Sequence, residues 1–432
     1  MAINLAFMIK VFINQEAVYY KPLVYTLKLL NPYLDSEIIF SKNKEHANFI
    51  FDHTDKESKD VNVDFFHSII IEKKYGFEYY FKNEPIILHR CKIKKDYLGT
   101  VFYLVNCLQE YETDSFNHNY DNFGRFKFER SLQFRYNCIE ENLVEKYLIE
   151  FCKEELKINE FREKKLAKVF LSHDIDSVNG SLLQDGKWAF KKGRFDIVLK
   201  LIFNEVINKP HWKNIDYINK IHSEKGLESA FFWLATNEEG RFSVKNADYQ
   251  IKDVKELTQY SQINGIHKSS CEKSIKTELE LLPFPTFINR HHFLMFKIPE
   301  LWGEVENSNL KLDASLGFAE RYGFRNSFGL PFRPYNFSTG EAYSFIEVPL
   351  NIMDGTFQKY MKVPIENTAD TIINFFEKNK YNTVLSILWH NTFFTNYKYK
   401  GYLDQYKKVL TYLVESKVNS ITPDEIIRIY ES

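Results

Sequence analysis

The feature that most constrains the fold is an apolar run, residues 169–176, that ends abruptly in acid with the sequence VFLSHDID. A short apolar run of this kind is typical of a strand that is buried on both faces of a sheet. Folds built on such strands keep their chemistry where the strands end, which makes Asp174 and Asp176 candidate site residues. Side chains alternate along a strand, so both carboxylates point the same way and repel each other unless a cation or a proton lies between them. The alternative is an ordinary polar loop, because Asp-x-Asp is a short and common string.

Length and composition limit the classes of protein to consider. The chain has 432 residues, enough for two domains, and 44% of them are hydrophobic, enough for sizeable cores. A formal net charge of −1 gives no overall field to attract nucleic acid, and no stretch reaches the ~18 apolar residues of a membrane span. The N-terminus lacks the basic segment and cleavage site of a signal peptide. Five cysteines without CxxC spacing predict reduced thiols in a cytoplasmic protein: Cys91, Cys107, Cys138, Cys152 and Cys271.

Residues 1–160 are expected to form a smaller α/β domain that has no catalytic constellation. Helical periodicity covers residues 18–30, 97–108 and 143–151, and short apolar runs predict strands at 37–40, 48–51 and 68–71. An aromatic, turn-rich stretch at 120–126 is either packing at a domain seam or a binding loop. A charged linker, residues 153–165, leads to the second domain.

Residues 166–432 alternate between strand and helix patterns, which predicts a parallel sheet in the form of a (β/α) barrel. The predicted strands after the first one are 229–234, 265–267, 287–293 and 384–390. The predicted helices are 215–222, 254–260, 272–282, 299–306, 371–377, 402–414 and 423–429.

Chemically active side chains recur where these strands end. His267 is either a buried core histidine or a metal ligand together with Asp176, because imidazole and carboxylate groups suit zinc. Arg290 either caps a helix or holds Asp174 ionised through a bidentate pair. His390 is either a buried structural residue or a proton donor near neutral pH.

Five strings occur in the order of the motifs of the polysaccharide deacetylase (NodB-homology) superfamily, and the chain resembles that superfamily over residues 166–432. The strings are LSHDID at 171–176, GIH at 265–267, RHHF at 290–293, LDASLGF at 312–318 and LWH at 388–390. The closest resemblance is to large bacterial deacetylase-like proteins with an extra N-terminal domain. The resemblance implies a distorted (β/α) barrel that follows a smaller α/β domain.

The resemblance also implies roles for the motif residues. Asp174 matches the catalytic base, Arg290 the arginine that orients it, and His390 the general acid. Asp176 and His267 match ligands of a divalent metal, most often zinc, which would polarise an acetyl carbonyl group. The implied activity is removal of an acetyl group from an amino sugar or a polysaccharide precursor.

One metal ligand departs from the superfamily pattern. The pattern His-x-x-x-His places two ligands one helical turn apart, but Cys271 stands four residues after His267. Either the Cys271 thiolate replaces the missing histidine or His292 supplies the third ligand. If neither does, the protein is a catalytically inactive carbohydrate-binding or scaffold protein, or a metal-independent amidohydrolase.

The substrate is expected to contact side chains around the catalytic residues. The stretch 317–325, GFAERYGFR, offers Phe318, Arg321 and Arg325 to sugar rings and polar groups. His173 and Trp389 adjoin the predicted catalytic residues and are further candidates for substrate contact. An amphipathic insertion at 193–208 is a candidate lid over the site. The sequence does not set the sugar or the oligomeric state.

Overall fold

The computed structural model describes residues 8–53, 60–89, 94–111, 116–207, 209–395 and 397–431. Cys91 and the first seven residues, which the signal-peptide prediction concerns, lie outside these ranges. Cys107, Cys138, Cys152 and Cys271 are free thiols. Among the described residues, no helix combines the length and apolar character needed to cross a bilayer.

Fifteen strands and fifteen helices are described. The strands are β1 (Met8–Ile13), β2 (Glu37–Ser41), β3 (Phe49–Phe51), β4 (Ile87–Leu88), β5 (Lys95–Asp96), β6 (Lys168–Ile175), β7 (Ser229–Leu234), β8 (Ile263–Lys268), β9 (Ile288–His291), β10 (Leu312–Asp313), β11 (Tyr335–Asn336), β12 (Glu341–Ala342), β13 (Ile346–Glu347), β14 (Ile352–Met353) and β15 (Val384–Leu388). The helices are α1 (Tyr20–Lys28), α2 (Val63–Ile70), α3 (Tyr97–Val105), α4 (Phe116–Asn119), α5 (Leu132–Arg135), α6 (Leu143–Glu154), α7 (Ser181–Lys191), α8 (Phe195–Val206), α9 (Ile215–Ser223), α10 (Ile251–Leu257), α11 (Ile275–Leu281), α12 (Glu300–Asn307), α13 (Thr368–Lys378), α14 (Tyr402–Glu415) and α15 (Pro423–Glu431).

The central feature is an eight-stranded sheet in the order β13-β10-β9-β8-β7-β6-β15-β14, curled into a half-barrel. All seven pairs of neighbouring strands run parallel. This sheet agrees with the predicted barrel-like α/β class. Because the strands are parallel, their carboxyl ends share one edge, where α/β folds place ligands and reacting groups.

The first part of the chain contains a separate three-stranded parallel sheet in the order β2-β1-β3. The predicted strand at 68–71 is wrong, because this segment ends helix α2. The side chain of Asn62 accepts the backbone N–H of Phe65 and caps that helix, and Phe65, Phe66 and Ile69 bury one of its faces. The sequence of a short amphipathic helix can resemble that of an apolar strand, and here the Asn62 cap indicates a helix.

The two regions of the chain share one hydrophobic cluster. It includes Leu23 and Phe102 from the first region, and Phe232 and Trp302 from the second, each at most 1% exposed. Beyond apolar packing, a buried ion pair joins Glu110, which follows α3, to Arg325 in the segment after β10. These contacts hold the N-terminal region against the curled sheet.

Candidate active site

Three strands of the large sheet bring titratable side chains to one edge. Strand β6 carries Asp174 near its end and is followed by Asp176, and β8 carries His267 near its end. Strand β9 carries Arg290 and is followed by His292. In register, His267 pairs with Arg290 across β8 and β9, so the pairing of the strands itself brings these groups together.

Asp176, His267 and His292 form the one group of potential metal ligands found among the described residues. One ligand atom of each lies within 4.8 Å of the others. Oδ1 of Asp176 is 3.4 Å from Nε2 of His267 and 3.6 Å from Nε2 of His292. Ligand atoms about 2.0–2.2 Å from one tetrahedral zinc ion are separated from each other by roughly 3.3 Å, so these spacings fit such an ion.

The second nitrogen of each histidine is held by an oxygen acceptor. Nδ1 of His267 lies 2.9 Å from the carbonyl oxygen of Arg290, and Nδ1 of His292 lies 2.9 Å from Oδ1 of Asn246. With Nδ1 as the donor, Nε2 is the unprotonated nitrogen that a metal requires. Oδ1 of Asp176 is buried and has no hydrogen-bond partner in the described part of the chain. These donors therefore fit a divalent cation such as zinc.

The electrostatics of the three groups favour a charged carboxylate. Burial disfavours ionisation of Asp176, but His292 and His267 outweigh it and hold the pKa of Asp176 well below its usual range. Burial lowers the pKa of His292. For His267 the opposing attraction of Asp174 and Asp176 exceeds the effect of burial and raises the pKa. A cation bound here would replace the protons as the counter-charge.

Asp174 lies beside His267, and Arg290 fixes the position of its carboxylate. Nη1 of Arg290 donates to Oδ1 of Asp174 at 3.0 Å and to Oγ of Ser172 at 2.8 Å, while Nε donates to the carbonyl oxygen of Ala314. The guanidinium also lies 4.5 Å from the ring centre of Phe232. The ion pair is therefore made through one nitrogen, where a bidentate pair was expected. Oδ2 of Asp174 is 3.5 Å from Nε2 of His267.

His390, which follows β15, is held by a carboxylate that the sequence did not reveal. Nδ1 of His390 lies 2.7 Å from Oδ1 of Asp354, and Oδ2 of Asp354 accepts the His390 backbone N–H at 2.6 Å. Nε2 of His390 is 3.7 Å from Oδ2 of Asp176. Burial alone would lower the pKa of His390, but Asp354 outweighs it, aided by Asp176 and Asp174, and raises the pKa to about 10.

Cys271 lies outside the group of ligand atoms. Its Sγ accepts from Nδ2 of Asn246 at 3.3 Å and lies near the carbonyl oxygens of Glu238 and Glu239. Cys271 would share a face with His267 only if both lay on one helix, but β8 ends at Lys268 and the next helix begins at Ile275. The structure thus brings His292, and not Cys271, to Asp176 and His267.

His173 and Trp389 do not reach the mouth of the site, contrary to the prediction of substrate contact. His173 is fully buried, stacks on His222 with ring centres 5.0 Å apart, and has Nδ1 2.7 Å from the Trp389 carbonyl oxygen. Trp389 is also fully buried and stacks on Tyr406. Each is the immediate neighbour of a residue that faces the site, and the alternation of side chains along an extended chain turns it to the opposite side.

Two of the three predicted sugar contacts in 317–325 are structural. Arg325 is 1% exposed and forms a two-nitrogen ion pair with Glu110. Phe318 is buried against that guanidinium and the ring of Phe128. Arg321 is partly exposed and lies 3.6 Å from a carboxylate oxygen of Glu140, so it alone keeps a side chain open to solvent.

Asp354 and Asn246, which hold two histidines of the site, were not predicted from the sequence. Asp354 follows the two-residue strand β14, which is too short to show a pattern. Asn246 lies in the loop between β7 and α10, where an asparagine has many ordinary uses. The position of Asp354 in the sequence could have indicated its role, because it follows the apolar pair Ile352 and Met353 as the other site residues follow their strands.

Comparisons with known proteins are limited. Residues 11–158 match the model of a family of unknown function, DUF7033. No curated protein matches this sequence. One similar solved structure, from Mycobacterium smegmatis, carries the provisional description of a polysaccharide deacetylase; it is 13% identical, with a TM-score of 0.39, and the match covers 63% of this chain and 92% of that one. A 4-alpha-glucanotransferase from Thermococcus litoralis is 9% identical, with a TM-score of 0.36 and coverage of 62% and 41%.

Proposed function

We propose that this chain is a metal-dependent hydrolase that removes an acetyl group from an amino sugar or a polysaccharide precursor. The observation that carries the proposal is the convergence of Asp176, His267 and His292, with both histidines held so that Nε2 faces the carboxylate. A carboxylate and two imidazoles leave one open position on a tetrahedral cation, as the ligands of catalytic zinc sites do. The neighbouring carboxylate of Asp174 is buried and paired with Arg290, and it supplies a base beside the metal site.

The side chains divide the work of hydrolysis between them. Asp176, His267 and His292 would hold the cation, which would supply Lewis-acid polarisation of the acetyl carbonyl group. Asp174, paired with Arg290, accepts the proton of the attacking water. His390, held by Asp354, donates a proton to the departing amine. Asp174 and His390 lie at the ends of the neighbouring strands β6 and β15, so one acetyl group can contact both side chains.

The test combines acetate release with metal content. The protein is purified without chelator, supplied with zinc and incubated with an N-acetylglucosamine oligomer, and the released acetate is measured. Asp174→Asn should lower kcat by about 10²–10⁴, the usual contribution of a general base. Asp404→Asn, a change at an exposed carboxylate on α14, should leave kcat unchanged.

Three results would contradict the proposal. Retained activity in Asp174→Asn would remove the base from the mechanism. A protein that binds the oligomer but takes up no zinc and releases no acetate would favour the carbohydrate-binding alternative. Acetate-free turnover of a small amide by zinc-free protein would favour the metal-independent amidohydrolase.

A further inference from the structure

The helical hairpin formed by α7 and α8 exposes a large apolar surface that the proposed catalytic reaction does not use. Eight large apolar side chains between residues 183 and 207 are at least 43% exposed. They are Leu183, Phe190, Phe195, Leu199, Ile202, Phe203, Val206 and Ile207. Large contiguous apolar surfaces of this kind mark sites where a protein meets another protein or a membrane.

The exposed residues share one side of each helix. On α8 the spacing of Phe195, Leu199, Phe203 and Val206 places them on one face, while Ile197 and Leu201 are buried on the other. On α7, Leu183 and Phe190 are two turns apart, and the Phe190 ring packs edge-on against Phe195 across the hairpin. The two helices therefore present one continuous apolar surface, hereafter the hairpin face.

The hairpin also carries several exposed cations. Exposed basic residues lie on both helices and in the turn that joins them: Lys187, Lys191, Lys192, Arg194 and Lys200. The three acids of the hairpin neutralise them only in part: Asp196 is paired with Arg194, Asp185 is buried and bonded to Trp212, and Glu205 is half-buried. In a chain whose formal net charge is −1, this is a local excess of positive charge around an apolar surface.

The geometry points to an anionic phospholipid bilayer as the partner of the hairpin face. Helices that lie in a membrane interface combine large apolar side chains with lysine and arginine at the polar boundary, where the cations meet lipid phosphates. We propose that the hairpin inserts its apolar side chains among the lipids and that its lysines bind the headgroups. The protein then lies on the membrane surface without spanning it.

The base of the hairpin is hydrogen-bonded to a residue that adjoins the candidate active site. The hairpin begins five residues after Asp176, and Oγ of Ser181 accepts the backbone N–H of His211. Nδ2 of Asn391, the residue after His390, donates to the carbonyl oxygens of Trp212 and Ser177 on either side of the hairpin. A bilayer bound to the hairpin would therefore lie beside the mouth of the site, which would face substrates held at that surface.

Vesicle flotation tests this proposal with the full chain. Vesicles of phosphatidylcholine alone are compared with vesicles that contain about one third phosphatidylglycerol. We expect the protein to float only with the anionic vesicles, and increasing salt to release it. Phe203→Ser should weaken binding about tenfold or more, because one large apolar contact with the lipid is lost. Phe134→Ser is the matched control, since Phe134 is 54% exposed and Phe203 is 61% exposed.

A charge pair of variants completes the test. Lys191→Glu with Lys192→Glu should abolish flotation, whereas the same change at Lys252 and Lys255, exposed lysines on α10, should not. Failure of the unaltered protein to float with anionic vesicles overturns the proposal, as does equal binding to neutral vesicles. A concentration-dependent dimer in sedimentation that Phe203→Ser dissociates, without vesicle binding, would assign the face to a second copy. None of these outcomes depends on catalytic activity.

Discussion

Nδ1 of His390 lies 2.7 Å from Oδ1 of Asp354, and the other oxygen of that carboxylate accepts the backbone N–H of His390. This double contact fixes both the position of the ring and the nitrogen that carries the proton. Nε2 is thereby directed at the site, 3.7 Å from Asp176. Asp354 acts through His390 and is a positioning residue in the proposed reaction.

Replacing Asp354 by Asn should impair proton donation more than binding. The amide oxygen can accept the His390 backbone N–H, but the NH₂ group then faces Nδ1 and donates to it, which favours a neutral ring with Nδ1 as acceptor over the imidazolium that donates the proton. We expect kcat for acetate release to fall by about 10²-fold or more with KM nearly unchanged. Unchanged kcat, at unchanged zinc content, would remove His390 from the role of general acid.

Two adjacent histidines allow a matched test of the metal ligands. His292→Gln should lower zinc affinity, measured by calorimetric titration, by about 100-fold or more, because one of three ligand atoms is lost. His291→Gln should change it little, since His291 is directed at Ser315 and Asn289. Cys271→Ser should also bind zinc normally. If Cys271→Ser lost zinc and His292→Gln kept it, the ligand assignment made from these distances would be wrong.

Arg325 should matter for stability and not for substrate binding. It forms a fully buried ion pair with Glu110, so Arg325→Met leaves an unpaired buried carboxylate. We expect the free energy of unfolding in urea to fall by about 3–5 kcal/mol, with KM unchanged for the folded fraction. The double variant Arg325→Met with Glu110→Gln should recover part of the loss. A large rise in KM with normal stability would instead support the sugar contact first predicted.

His222 should make the protein sensitive to mild acid. It is fully buried between Oγ of Ser229 and the hydroxyl of Tyr406, and burial lowers its pKa to about 4. The unfolded chain takes up this proton near pH 6.5, so His222 reduces folding stability progressively as the pH falls from about 6.5 to about 4. The total loss is about 3 kcal/mol, at 1.36 kcal/mol per pKa unit.

The measurement is urea unfolding at pH 7.5 and pH 5. His222→Gln, which can still form hydrogen bonds, should lose less stability between these two values than the unaltered protein. His46→Gln removes an exposed histidine and should follow the unaltered protein. If His222→Gln and the unaltered protein lost equal stability on acidification, the proton would be taken up elsewhere.

Strands β6, β7 and β15 of the large sheet could be predicted from sequence because each contains a mainly apolar run. The run at 229–234 coincides with β7, and that at 384–390 contains β15. Strands β10, β13 and β14 have two residues each and carry no periodicity, so their places in the sheet depend on tertiary pairing alone. For the same reason Asp354, which follows β14, could not be recognised.

The residues of the candidate site that lie at strand ends could be predicted from sequence. The predictions that depended on the direction of a side chain failed. Asp174, Asp176 and His267 follow from the parallel sheet. The errors at His173 and Trp389 come from ignoring the alternation of side chains, which the sequence contains. The choice between Cys271 and His292 depended on the course of the chain after His267, which spacing in sequence does not reveal.

The pairing of β6 with β15 has a consequence for the timing of synthesis. Ser172 is opposite Leu388, although more than two hundred residues separate them in the chain. Asp174 and Asp176 are therefore made early, while His390 reaches them only after most of the polypeptide has left the ribosome. A nascent or truncated chain that stops before β15 lacks the strand that borders β6, so the complete constellation arises as a late event of folding.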